Sequence, residues 1–477
     1  MNILFAASEA VPFAASGGLA DVIGSLPYAI HNKGHECRVV IPLYKSIRPE
    51  LRAEMTFLTN ITVDVSWRKQ YCGIFTAIWN GVTYYFIDNE YYFGRDGLYG
   101  FYDDCERFVF FSRAVLEMLR CIDFKPDIIH ANDWQTALIS VFYQVFYKYQ
   151  QGYQNIKNIF TIHNIQYQGN YGREVLNEVM GIPLYHMGIL EYDGAINMMK
   201  GAIEAADKIT TVSPSYAWEI LDAYYAHGLD RILVHKQYKL SGILNGIDTN
   251  LYNPETDELI AKKFSASKPS GKKACKEALL SELALQEGDE PVIGIVTRFV
   301  SHKGIDLIRY VFEDILKLGY KFAILGSGEK IYEDFFSEMQ FRYPDKVSVN
   351  LGFRPDLAKK IYAGADMFLM PSQSEPCGLA QMISMRYGTA PIVRETGGLR
   401  DSVKDSTLEA GNGFTFKTYN AHDMLDACAR AKACYDDKKA WKALVKRAMK
   451  SDYSWNTSAD AYIALYKELC GDNSNNF

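Results

Sequence analysis

A short phrase occurs once near the start of the chain and once near its end, as Ser16-Gly17-Gly18-Leu19-Ala20-Asp21-Val22 and as Thr396-Gly397-Gly398-Leu399-Arg400-Asp401-Ser402-Val403. Each copy follows an apolar, strand-like run and opens a helix-like one. Paired glycines let backbone N–H groups approach an anion closely, and a helix N-terminus adds partial positive charge. Either copy alone also reads as a plain turn; the pairing points to one phosphorylated ligand held between two domains. Arg298 and Lys303, in Arg-Phe-Val-Ser-His-Lys-Gly, place a forked guanidinium and a point-charge ammonium at one helix entrance. Such a pair makes a pyrophosphate clamp or, more plainly, a solvated surface pair. Glu375 stands in Ser372-Gln373-Ser374-Glu375-Pro376-Cys377-Gly378-Leu379, where small residues leave room for a ligand beside a carboxylate. His163 ends an apolar run at 159–162 and can offer its ring or its carbonyl, although a lone histidine is more often structural. Asn132-Asp133-Trp134 reads either as polar groups with a stacking indole or as an Asp helix cap beside a packed Trp.

These residues need elements to hold them. Short apolar runs alternate with amphipathic segments, the pattern of parallel sheets with crossover helices. Strands are expected at 2–8, 37–42, 82–87, 128–130 and 159–162, and in a second series at 292–297, 321–325, 347–351, 367–370 and 391–393, with helices near 21–33 and 458–469. A polar stretch at 250–273 follows the first series, which puts a hinge near residue 243. The expected domains are 1–242, 243–455, and a C-terminal helix with polar tail at 456–477. In open α/β sheets ligands sit beyond the carboxyl ends of strands, and that is where Arg298, Glu375, His163 and Asp133 fall.

With 477 residues the chain exceeds one ordinary core, and 48% hydrophobic with 23% charged residues is a globular composition. A net charge of −6 without a Lys/Arg block argues against a nucleic-acid partner. Nine scattered cysteines with no Cys-x-x-Cys pair favour a reducing cytoplasm over a disulfide or zinc framework. The apolar start lacks the basic flank of a signal peptide, and no run reaches membrane-spanning length. The sequence lacks Gly-x-Ser-x-Gly, His-Glu-x-x-His, a Walker lysine and a spaced Gly-x-Gly-x-x-Gly, which disfavours hydrolase, phosphoryl-transfer and nicotinamide chemistry. Two cations, two Gly-Gly loops and one carboxylate suit departure of a nucleoside diphosphate with no metal or other cofactor. That is the logic of a nucleotide-sugar glycosyltransferase.

Ala15-Ser16-Gly17-Gly18-Leu19-Ala20-Asp21-Val22, Asp96-Gly97-Leu98-Tyr99-Gly100, His130-Ala131-Asn132-Asp133-Trp134, Thr161-Ile162-His163-Asn164, Asn245-Gly246-Ile247-Asp248, Arg298 with Lys303, Glu375-Pro376-Cys377-Gly378-Leu379 and Thr396-Gly397-Gly398-Leu399 stand in an order that resembles the bacterial glycogen synthase and plant starch synthase family. The resemblance implies the α/β GT-B architecture, two Rossmann-like parallel-sheet domains flanking a deep cleft. It also implies retaining transfer of glucose from ADP-glucose to the non-reducing end of an α-1,4-glucan. Carried over, Arg298 and Lys303 hold the diphosphate with Ser16, Gly17, Gly18, Thr396, Gly397 and Gly398. Glu375 and the Cys377-Gly378-Leu379 turn bind the donor glucose, His163 faces the reacting sugar, and Asp21 lies near sugar hydroxyls. The departure is Ala15, where the family usually has lysine, so one cation at the phosphates is missing. Two alternatives stand beside glucan synthesis: a glucan-binding homologue without transfer, and a related transferase that uses a UDP-sugar or another acceptor.

Overall fold

The computed structural model describes residues 1–471; the expected polar tail, 471–477, lies outside the described residues apart from Gly471. The chain forms two compact units, Met1–Ile243 together with the helix Trp455–Cys470, and Leu244–Ser454.

In the first unit β1 (Asn2–Ala6), β2 (Glu36–Pro42), β3 (Thr56–Val65), β4 (Arg68–Trp79), β5 (Val82–Asp88), β6 (Ile128–Asn132) and β7 (Lys157–Ile162) precede a small sheet of β8 (Asn170–Tyr171), β9 (Glu191–Tyr192) and β10 (Ala195–Asn197). β11 (Lys208–Thr211) and β12 (Leu240–Gly242) complete a nine-stranded sheet of order β12-β11-β7-β6-β1-β2-β5-β4-β3. It is parallel from β12 to β5, and its far edge is antiparallel. β1 is buried along nearly its whole length, as a strand covered by helices on both faces must be. The helix Trp455–Cys470 belongs to this unit: Tyr466 hydroxyl meets His130 Nδ1 at 2.8 Å, and Lys33 pairs with Asp460. In this unit Tyr84, Tyr85, Phe86, Tyr92 and Phe93 belong to the core, and Tyr91 is exposed.

The second unit has β13 (Val292–Val296), β14 (Lys321–Gly326), β15 (Val347–Leu351), β16 (Met367–Met370), β17 (Ala390–Arg394) and β18 (Phe414–Phe416), all parallel, in the order β15-β14-β13-β16-β17-β18. The helix Ile305–Lys317 buries Ile305, Ile308, Phe312, Ile315 and Leu316 on one face and turns Arg309, Tyr310 and Lys317 outward. Burial of each such apolar side chain contributes about 1.5–3 kcal/mol. That apolar face seats the helix on the sheet with its N-terminus just beyond β13.

The antiparallel pair β3–β4 was not expected. Its residues alternate loosely and carry many exposed polar groups, so they show no buried-strand signal. β11, β12 and β18 are too short for any periodicity and are defined by their neighbours.

Candidate active site

Unit two is doubly wound, with the switch in strand order between β13 and β16. The loops that leave these two strands are stitched together. Gln373 N–H donates to His302 O at 2.9 Å, and a Cβ on Gly304 would stand 2.1 Å from Pro371 O. With φ +77 Gly304 also occupies the left-handed region, so glycine is required on both counts. The chain therefore delivers Lys303 to the Glu375 loop. Lys303 Nζ lies 2.7 Å from Glu375 Oε2, which also accepts from Ser372 Oγ at 3.0 Å. Glu375 is only 7% exposed, and with Oε2 occupied its Oε1 is the acceptor left for a sugar hydroxyl. Arg394, at the end of β17, braces the loop from below through Ser372 O at 3.0 Å and Gln373 O at 2.5 Å. Arg298 is exposed and makes no ion pair among the described residues, so its fork is available to an anion.

Cys377 is buried, and burial pushes its thiol up to about 12, which makes it a packing group and not a nucleophile. The carbonyls of Cys377 and Gly378 accept from the Gln381 amide at 3.2 and 2.9 Å. Backbone N–H groups of Gly378 and Leu379 meet no acceptor among the described residues and remain open to a ligand.

The second Gly-Gly copy differs from the expected anion loop. Gly398 N–H donates to Glu375 O at 3.1 Å and to Pro376 O at 3.2 Å, and Thr396, Gly397 and Gly398 are all buried. A Cβ on Gly397 would lie 2.0 Å from Glu375 O, and one on Gly398 2.1 Å from Cys377 O. The glycines are there so that this backbone can press against the Glu375 loop. That corrects the expectation of a free Gly398 amide.

Unit one repeats the same winding, with its switch between β1 and β6. Beyond β1 the Ala15-to-Gly18 loop is exposed, and a Cβ on Gly17 or Gly18 would meet no atom within 4 Å. Gly17 caps the 14-residue helix Gly18–His31, with Asp21 in its first turn. Ser16 is exposed, and its N–H donates to the buried carboxylate of Glu9 at 2.5 Å. Glu9 was not singled out in the sequence, although the strand-end rule includes it, because nothing in Glu9-Ala10-Val11-Pro12 shows that the loop folds back.

Beyond β6, Asp133 has φ +59 and ψ 176, a region essentially reserved for glycine. It is held there by its N–H to Thr161 O at 2.9 Å and by Thr136 N–H to its carbonyl at 3.1 Å. The strained backbone aims its carboxylate at β7's end, where it accepts from His163 N at 2.7 Å. Trp134 is packed against Phe108 and Tyr171, which removes the stacking role considered for it. The Asn132 amide nitrogen donates to Ala6 O and His130 O, so its Oδ1 must be what faces His163 Nε2 at 2.9 Å. His163 is thereby fixed as the Nε2–H tautomer, and burial pushes its pKa down to about 3. It is a neutral ring with a free Nδ1 lone pair, not a cation.

Burial pushes the Asp133 carboxyl from 3.8 up to about 7, against the pull of the His163 and Asn164 amides and with a further push from Glu9. The folded-state value lies above the unfolded one, so the ionised group costs stability that is absent below pH about 4 and fully felt above about 7. Thermal melts of Asp133→Asn against the parent are expected to show the variant gaining roughly several degrees, relative to the parent, between those limits. A constant difference in melting temperature across this range would contradict the assignment.

Among the described residues no group of three or more His, Cys, Asp or Glu is placed to hold a metal ion, and no helix is long and apolar enough to cross a membrane. Residues 2–235 match the model for the starch synthase catalytic domain, and 281–448 that for glycosyl transferases group 1. The chain is 49% identical over 474 residues to glycogen synthase of Bacillus anthracis, covering 98% of this chain and 100% of the relative. It is also 49% identical to glycogen synthase of Desulforamulus reducens, with 98% and 99% covered. The catalytic domain of Starch Synthase IV from Arabidopsis thaliana, solved bound to ADP and acarbose, superposes with a TM-score of 0.90 at 35% identity, covering 98% of this chain and 99% of that one. Sucrose-phosphate synthase from Thermosynechococcus elongatus, at 15% identity and a TM-score of 0.62, shares the fold. With two doubly wound parallel-sheet units of GT-B type, this chain belongs to the glycogen synthase and starch synthase family of retaining glucosyltransferases.

Proposed function

We propose that the chain elongates α-1,4-glucan from ADP-glucose in the cytoplasm, with donor groups supplied mainly by unit two. The observation that carries this reading is the Lys303–Glu375 pair at the switch point, beside an exposed and unpaired Arg298. Lys303 and Arg298 neutralise the diphosphate as the glycosidic bond to it breaks, the task a metal ion performs elsewhere. Glu375 Oε1 and the Gly378 and Leu379 amides orient the donor glucose. The neutral His163, its proton committed to Asn132, offers its Nδ1 and its carbonyl to a sugar hydroxyl, and Asp21 accepts from another. Retention follows from same-face attack by the glucan hydroxyl, whose proton passes to the departing phosphate, so no protein nucleophile is needed. The Arabidopsis relative's ADP and acarbose supply a nucleotide and a glucan-like ligand of the classes this reading requires.

A transfer assay with ADP-glucose and UDP-glucose on a maltooligosaccharide primer tests the donor. ADP-glucose is expected to be used at least about tenfold better, the worth of one differential hydrogen bond. Preference for UDP-glucose would replace the donor assignment, and glucan binding with no transfer would favour the binding-protein reading.

Ala15 is what keeps that second reading in view. It is exposed beside the open Gly17-Gly18 loop, so a lysine there has room to extend. A charge-assisted hydrogen bond is worth about 1.5–3 kcal/mol, less up to about 2 kcal/mol of lysine side-chain entropy. Ala15→Lys is therefore expected to improve kcat/KM for the donor by a few-fold to about tenfold. A slower variant of an already fast enzyme would show that the loop does not meet the phosphates as assigned.

A further inference from the structure

The two Gly-Gly phrases are anchored in different ways. Gly397 and Gly398 are wedged against backbone carbonyls, and Gly398 N–H donates to two of them. Gly17 and Gly18 have no such packing: both are exposed, Gly17 is extended at φ −165, and no atom lies within 4 Å of where a Cβ would be. Apart from Ala20 N–H to Gly17 O at 3.2 Å, what ties this loop down is one side chain. The carboxylate of Glu9 accepts from Ser16 N–H at 2.5 Å. Glu9 itself is 4% exposed and sits three residues beyond the end of β1, a strand buried along nearly its whole length.

We propose that Glu9 is a positioning residue for the nucleotide-sugar donor, holding the Ala15-to-Gly18 loop in the open shape that receives the donor's phosphates. The inference rests on the assignment of that loop to the donor. The charge-assisted bond from Ser16 N–H to this buried carboxylate pins the loop backbone at Ser16 while Glu9 is in place. With Ala15 in the loop there is no cation to draw phosphate in, and the shape of the backbone carries the recognition. Glutamine cannot substitute fully. Its amide oxygen is an uncharged acceptor, so the Ser16 anchor loses its charge assistance, and its NH2 puts a donor where the carboxylate had an acceptor.

Glu9→Gln and Glu9→Ala in the full chain test this, with ADP binding by calorimetry and with separate KM values for ADP-glucose and maltotetraose. Glu9→Gln is expected to bind ADP and ADP-glucose about tenfold more weakly, the loss of about one charge-assisted hydrogen bond, with the maltotetraose KM within about twofold of the parent. Glu9→Ala is expected to lose more. An unchanged donor affinity in Glu9→Gln overturns the inference whatever Glu9→Ala does, including failure to fold. An equal loss for donor and maltotetraose also overturns it, because that is what a merely structural residue would give. A parent chain that binds no ADP overturns the donor reading first and this inference with it.

Discussion

Replacing Lys303 with alanine is expected to lower kcat/KM for the nucleotide sugar by about two to three decades. Two losses combine. The diphosphate loses a point charge, and Glu375, at 7% exposure, loses the ammonium that lies 2.7 Å from its Oε2. Removing one partner of a buried pair costs about 3–5 kcal/mol because the other charge is left uncompensated, which corresponds to that range of rate. Part of the loss falls on folding, so Lys303→Met, which keeps the stem, separates packing from charge. Arg298 is exposed and unpaired, and Arg298→Ala should leave the fold intact while costing about one decade or more in donor affinity. Steady-state kinetics against ADP-glucose check both. A loss under about threefold in either variant would remove that residue from the clamp.

Glu375→Gln is expected to lower kcat by about two to three decades with the glucan KM changed by less than about threefold. The shape is kept, but an amide replaces a carboxylate that faces two donors, Lys303 Nζ and Ser372 Oγ. An amide nitrogen turned toward either would be repelled. One turned away would point at the donor glucose, where Oε1 now offers an acceptor. Either rotamer also removes the negative charge beside the sugar ring, where positive charge develops as the diphosphate leaves. Normal kcat with weakened glucan binding would move Glu375 from the donor to the acceptor.

Much of this arrangement was legible in the sequence because fully buried parallel strands announce themselves as apolar runs. Met367–Met370, buried but for its last residue, coincides with its expected bounds, and so does the half-buried Val347–Leu351. The edge pair β3–β4 was not legible, since one half-buried face and strong polar content erase the run. The candidate site residues stand out in the sequence one at a time, from their places after strands. Their partnerships do not, because Lys303 and Glu375 lie 72 residues apart and meet only through the strand order that sets β13 beside β16. Asp133 was weighed as a helix cap, and the conformation that turns its carboxylate onto His163 N–H has no sequence signature in a non-glycine residue. Identical Gly-Gly phrases misled in a different way. One is an open loop and the other a packing joint, and only the carbonyls around Gly397 and Gly398 tell them apart.

The central claim, retaining glucosyl transfer onto a glucan, is tested most directly by following ADP-glucose and maltotetraose with the enzyme by proton NMR. Maltopentaose bearing a new α-1,4 linkage, formed in step with ADP, is the predicted result. A β-linked product, release of free glucose in place of chain growth, or unchanged maltotetraose while bound glucan is readily detected would contradict it.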